Sequence, residues 1–132
     1  ELLRQEDLAQ EYVIDSRGLV VLFPEPANQK AEAIMKSAQM TLENHVSKQF
    51  DPEDLGDDTL VLTIEENEKY KILSEYGHKG NVYTLNEFVG RGGEIPNPYG
   101  KPLTAYGECY EMLSSLIKEL AEKLNYIAEE EK

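Results

Sequence analysis

The feature that most limits how this chain can fold is a pair of apolar, β-branched runs with one helical pattern between them. Residues 59–64 read Thr-Leu-Val-Leu-Thr-Ile without polar alternation, which is typical of a strand covered on both faces. Residues 81–85 predict a second buried strand. The helix between them is predicted to start with a capping box of Thr63 and Glu66 and to stop at Gly77. Strand, helix and strand in this order predict a right-handed parallel β-α-β unit.

Shorter patterns predict the other elements. Residues 12–14 are β-rich and run into a turn cluster at residues 15–18, which indicates a strand. Residues 28–38 carry apolar side chains on one helical face. Asp51 and the proline after it predict a short capped helix. Apolar steps of three and four predict a long helix over residues 103–131, packed on the sheet by one seam from Leu103 through Tyr110 to Ile127.

A chain of 132 residues has the length of one domain. Alternating strands and helices over residues 1–132 therefore predict an α/β domain whose parallel sheet has helices on both faces. Ligands bind at the carboxyl ends of such strands. Residues 86–102 are rich in Gly and Pro and follow the last predicted strand, so we expect this loop to border the ligand site.

Charge and hydropathy exclude several partners. The chain has 26 acidic and 13 basic residues, a net charge of −13, which opposes binding to nucleic acid and to anionic membrane surfaces. The longest apolar run stops at Pro24, so no transmembrane helix is predicted.

Few residues could hold a metal or a cofactor. The histidines, His45 and His78, lack a second ligand at helical spacing, and neither a metal site nor a cofactor is predicted. The single cysteine, Cys109, excludes an intramolecular disulfide and suits a reducing compartment, the cytoplasm. We interpret Cys109 as a thiol in the core or at its boundary.

The segment with the most chemical information is Pro-Asn-Pro-Tyr-Gly at residues 96–100. It resembles the Asp-Pro-Tyr segment of the low-molecular-weight protein tyrosine phosphatase family. The resemblance implies a phosphotyrosine phosphatase I-like fold and two-step hydrolysis of a phosphorylated protein or small phosphomonoester by a cysteine nucleophile, without a cofactor. It extends over the chain from residue 11 onward and includes residues 15–18, 44–49, 59–63 and 82–88.

The resemblance also implies roles for individual residues. In the family the Asp protonates the leaving oxygen and the Tyr walls the cleft, and these positions correspond to Asn97 and Tyr99. Phe23 would be the second wall of the cleft. Ser16 and His45 would support the phosphate-binding loop through hydrogen bonds.

Two departures from the family pattern matter. An amide at Asn97 cannot give a proton, so general-acid assistance of about 10²–10⁴-fold would be lost, and Glu94 is the nearest substitute acid. The family's Cys-x5-Arg loop and first strand would lie upstream of Glu1. Cys109 cannot replace that loop, because Ser115 stands where the arginine is needed.

The missing strand has a structural consequence. It is central in the family's sheet, and each buried backbone group that it leaves unpaired costs about 1–3 kcal/mol. We therefore expect the strand to come from a longer polypeptide, from a second chain or from a disordered segment, and the 132 residues alone to be inactive.

Three functions remain open at this stage. The complete protein is a protein tyrosine phosphatase, or it is a catalytically inactive domain that binds a phosphorylated ligand. The third is arsenate reduction or phosphoarginine dephosphorylation on the same fold. For a doubly charged phosphate, Arg17 and Arg91 are expected to offset the acidic surface locally.

Overall fold

The structure is a computed structural model and describes residues 3, 6, 8, 12–19, 27–40, 46–56, 58–77 and 81–130. These residues fall into two compact units, a first unit from the ranges 1–49 and 96–132 and a second unit from residues 50–95. In chain order the elements are helix α1 (Gln29–Ser37), a 3-10 helix (Pro52–Asp54), strand β1 (Leu60–Thr63), helix α2 (Glu66–Tyr76), strand β2 (Asn81–Thr84), helix α3 (Leu85–Phe88) and helix α4 (Leu103–Glu130).

A parallel pair of strands forms the centre of the second unit. β1 and β2 pair in register from Leu60 opposite Asn81 to Thr63 opposite Thr84, which confirms the predicted parallel β-α-β arrangement. The expectation that β2 is buried on both faces is wrong. Its residues alternate between exposed and buried, because one face of the strand remains open to solvent.

The start of α2 differs from the predicted capping box. Thr63 is the last residue of β1, and its hydroxyl donates to the backbone oxygen of Glu65 (3.0 Å). The cap therefore moves two residues along the chain, where the Glu65 N–H donates to Glu68 Oε1 (2.9 Å). Gly77 ends α2 as predicted, with a φ of +80° that favours glycine.

A capping box at Thr84 shortens the predicted second strand. The Glu87 N–H donates to Thr84 Oγ1 (3.1 Å) and the Thr84 N–H donates to Glu87 Oε1 (3.0 Å). Glu87 also pairs with Lys69 of α2, which raises the pKa of the lysine and lowers the pKa of the glutamate. Leu85 consequently begins α3 instead of ending β2.

The first unit is organised around α1 and α4. Asn28 caps α1 by accepting the Lys30 N–H (2.9 Å) on its side chain, close to the predicted boundary. The two helices pack together where Gly107 meets Ile34, since a methyl group on Gly107 would contact Ile34 Cδ1 at 3.7 Å. A contact of 3.7 Å is an ordinary van der Waals distance, so this position has room for a methyl group.

The apolar seam predicted for α4 is partly wrong. Leu103 is exposed, and Tyr110 is only half-buried. An α-helix has 3.6 residues per turn, whereas a strict three-four repeat averages 3.5, so the repeat positions move gradually away from the buried face of the helix. The buried residues of α4 are Tyr106, Leu116, Leu120, Ala121, Leu124 and Ala128.

The strand predicted at residues 12–14 is also wrong. Residues 12–17 have no regular secondary structure, and Val13 is fully exposed. A β-rich run becomes a strand only where a neighbour supplies a hydrogen-bond ladder. The described residues provide one isolated parallel bridge nearby, between Gly18 and Gln49.

No helix within the described ranges has both the length and the apolar character needed to cross a bilayer.

Ile72 offers a test of the second unit's core. It lies on α2 and is only 2% exposed, so Ile72→Ala should lower the free energy of unfolding of the complete protein by about 2–5 kcal/mol. Glu75→Ala, at an exposed position of the same helix, is the matched control and should change it by less than about 0.5 kcal/mol. Urea unfolding measures both, and equal effects would contradict this description of the core.

Candidate active site

The turn at residues 15–18 is held by an internal clamp in the first unit. Asp15 accepts the Ser16 N–H on Oδ1 (2.9 Å) and pairs through Oδ2 with Arg17 Nη1 (2.7 Å). The same guanidinium nitrogen donates to the Ser16 carbonyl oxygen (2.8 Å). The Arg17 hydrogen bond and the Ser16 N–H together hold the pKa of Asp15 below its ordinary value, so the clamp is charged at neutral pH.

A second set of bonds ties this turn to a neighbouring segment. The Gly18 N–H donates to the Lys48 carbonyl oxygen (2.7 Å), and the Gln49 side chain donates to the Leu19 carbonyl oxygen (2.7 Å). The backbone that follows Ser16 is thus bonded to residues 48 and 49. This suits the supporting role predicted for Ser16, which stays a prediction.

The segment around Asn97 forms a compact double turn, also in the first unit. Asn97 Oδ1 accepts the Tyr99 N–H (3.0 Å), and the Lys101 N–H donates to the Pro98 carbonyl oxygen (2.9 Å). Gly100 has a φ of +78° at the third position of this second turn, a conformation that favours glycine there. We call residues 96–102 the Asn97 loop.

The two side chains of the Asn97 loop that were predicted for the site differ in their contacts. Tyr99 is 79% exposed, so its ring is available to stack on an aromatic group. The Asn97 oxygen is engaged by the loop's own backbone. Its amide nitrogen, with two N–H donors, is the free end of the side chain.

A small open cleft of about 70 Å³ lies beside Asn97, between the Asn97 loop and α4. Cys109 of α4 lines it, and burial raises the pKa of this half-buried thiol. A protonated thiol is a poor nucleophile. The lining residues are Pro96, Asn97, Pro98, Lys101, Ala105, Glu108, Cys109 and Met112.

Glu94, the residue weighed as a substitute acid, has a structural contact in the second unit. Its Oε1 accepts the N–H of Glu66 (2.8 Å), at the first turn of α2. The first N–H groups of a helix have no partner within the helix, and the Glu94 side chain supplies one here. Glu94 is therefore engaged as a helix cap.

The structure describes three of the five residues predicted for the site. Ser16, Asn97 and Tyr99 all belong to the first unit, whereas Phe23 and His45 lie outside the described residues. Within the described ranges no three His, Cys, Asp or Glu side chains converge as metal ligands would.

Sequence reasoning missed the internal hydrogen bond of the Asn97 loop. An asparagine side chain often accepts the backbone N–H two residues later and so forms a turn. Asn97 and Tyr99 have this spacing, which could have predicted the bond.

Comparison with known proteins identifies the family. The model of the low molecular weight phosphotyrosine protein phosphatase family matches residues 1–130. The low molecular weight protein-tyrosine-phosphatase PtpB of Staphylococcus haemolyticus is 32% identical over 119 residues, covering 87% of this chain and 85% of PtpB.

Solved structures agree with that match. The low molecular weight protein tyrosine phosphatase from T. tengcongensis is 34% identical, with a TM-score of 0.75 over 83% of this chain and 76% of its own. The YwlE arginine phosphatase from Geobacillus stearothermophilus is 30% identical, with a TM-score of 0.85 over 99% of this chain and 85% of its own. These neighbours also confirm the α/β class predicted for the fold. The chain belongs to the low molecular weight phosphotyrosine protein phosphatase family.

Proposed function

We propose that the complete protein hydrolyses phosphomonoesters, with phosphotyrosine in proteins as the main substrate and the cytoplasm as its compartment. The observation that supports this most is the family match over residues 1–130. Within the matched range, the Asn97 loop carries Tyr99, whose side chain is exposed. An exposed aromatic ring favours aryl esters over alkyl esters through stacking.

The reaction needs a thiolate that these residues do not supply. The thiolate of an upstream cysteine attacks phosphorus, the bond between phosphorus and the phenolic oxygen breaks, and the electron pair leaves with that oxygen. Water then attacks the phosphocysteine, which releases phosphate and restores the thiol. Cys109 is unsuited to this role, because it is half-buried on α4 and its pKa is raised.

Asn97 would assist the first step by a hydrogen bond. Because its oxygen is bound to the Tyr99 N–H, the free amide nitrogen is the group that can donate to the leaving oxygen. A neutral amide stabilises the charge on that oxygen without transferring a proton. The enzyme should then favour leaving groups that depart as anions, as phenolates do more easily than alkoxides.

Phosphoarginine is the second candidate substrate. It is favoured by the match to the YwlE arginine phosphatase from Geobacillus stearothermophilus, which spans 99% of this chain. However, neutral guanidine is a much stronger base than phenolate and is therefore the poorer leaving group. Guanidine needs a proton in order to leave, and Asn97 cannot give it, so we rank phosphotyrosine first.

Restoring a carboxyl group at position 97 tests the assignment of this position. Asn97→Asp should raise kcat for a phosphotyrosine peptide by about 10²-fold or more, and by less for p-nitrophenyl phosphate, whose phenol is more acidic. The variant should also lose activity as pH rises through the pKa of the new carboxyl group. Steady-state kinetics on the complete protein from pH 4 to 9 measure both effects.

The control is Asn97→Ala, which removes the amide without adding an acid and should lower kcat. In the wild-type protein, Asn97 cannot convert to aspartate through a cyclic imide, because Pro98 has no N–H to attack the side chain. If Asn97→Asp leaves turnover unchanged, the position is wrongly assigned. If no variant turns over any phosphate ester but phosphotyrosine binds, the inactive binding domain is the correct reading.

Cys109 gives a second test. Cys109→Ser in the complete protein should leave kcat for p-nitrophenyl phosphate within about twofold, because a protonated, half-buried thiol takes no part in the attack. The proposal that the nucleophile lies upstream fails if this substitution abolishes turnover while circular dichroism shows an intact fold.

A further inference from the structure

We propose that Lys30 is a positioning residue, which holds the Asn97 loop in its working orientation from the first turn of α1. This inference rests on the proposed function, since it concerns how that site is shaped. Lys30 Nζ donates to the carbonyl oxygen of Lys101 at 2.7 Å, across 71 positions of the chain. The same ammonium group lies 5.9 Å from the centre of the Tyr106 ring.

The bond reaches the loop where its turn closes. Lys101 is the last residue of the turn that its own N–H closes onto Pro98, directly after Gly100. Among the described residues, the other hydrogen bonds of the loop join partners within residues 97–105. Lys30 is therefore a side chain from another element that fixes the turn bearing Tyr99.

The helix that carries Lys30, α1, is itself fixed by a cap and by packing. Asn28 caps α1 two residues earlier, and α1 packs on α4 through Ile34 and Gly107. Tyr106, under the ammonium group, is only 8% exposed. Because α1 and the Tyr106 ring both restrict Lys30, its hydrogen bond holds the Lys101 carbonyl group in one position.

The charge of Lys30 is not explained by the helix. A cation in the first turn lies against the positive end of the helix dipole, so the helix gains no stability from it. Its favourable contacts are the Lys101 carbonyl oxygen and the Tyr106 ring. Both contacts join α1 to the segment that follows Tyr99.

Substitution in the complete protein tests the proposal. Lys30→Met keeps the length of the side chain and removes the donor, so KM for p-nitrophenyl phosphate should rise about three- to tenfold, the loss expected for one ordinary, solvent-exposed hydrogen bond. kcat should change less. Lys30→Arg should restore KM, because a guanidinium can also donate to the carbonyl and lie over a ring.

The matched control is Lys36→Met, on the same helix. Lys36 is 68% exposed and faces Glu32 at 3.9 Å, so its removal should leave KM unchanged. A purely structural role of Lys30 would lower the melting temperature without changing KM, and that result would overturn the proposal.

A reporter that needs no turnover separates the two proposals. The chain contains no tryptophan, so Tyr99→Trp places a fluorescent probe on the Asn97 loop. Because position 99 is already exposed, the readout is mobility: adding Lys30→Met should lower the fluorescence anisotropy of this probe, whereas adding Lys36→Met should leave it unchanged. If the complete protein shows no phosphatase activity but the probe responds, the proposed function fails and the role of Lys30 stands. If the probe responds equally to both substitutions or to neither, the role of Lys30 fails.

Discussion

The parallel pairing of β1 with β2 is the constraint on which the described fold depends. Two parallel strands cannot be joined by a tight turn, so the chain must leave β1, form a helix and return. That requirement explains α2, the cap at Glu65 and the stop at Gly77. At the end of β2, Thr84 caps α3 and turns the chain away from the strand direction. The region rich in Gly and Pro therefore begins at a fixed point.

The Asn97 loop owes its shape to a few residue types placed in succession. Asn97 accepts the N–H two residues later, and Gly100 takes the positive φ that closes the next turn. The first of these bonds has a chemical consequence, because it turns an amide with a donor and an acceptor end into one whose donor end is available. The conformation of the loop and the chemistry available at position 97 are thus set by the same bond.

Local patterns predicted most elements, and three of the errors share one cause. The helix capped by Asn28, the parallel pair and the stop at Gly77 each follow from signals within a few residues. These errors concern the strand at residues 12–14, the faces of β2 and the seam of α4. Each depends on which tertiary neighbour covers a residue, and local sequence patterns do not contain that information. The site behaves in the same way. The resemblance to the family indicated Asn97 and Tyr99, but the hydrogen bond from Lys30 to Lys101 crosses 71 positions and leaves no local pattern.

Electrostatics indicate where the charge of a phosphate dianion would have to be balanced. The chain has a net charge of −13, and Arg17 had been expected to offset part of it near the substrate. Its guanidinium instead pairs with Asp15 at 2.7 Å and donates to a backbone oxygen, so its charge is largely neutralised within its own turn. A dianion would then rely on clustered backbone N–H groups and on an arginine beside the nucleophile. A field of that kind also lowers the pKa of a cysteine, whereas burial raises that of Cys109. Phosphate binding and thiolate formation would therefore depend on the same group of backbone N–H donors and the same arginine.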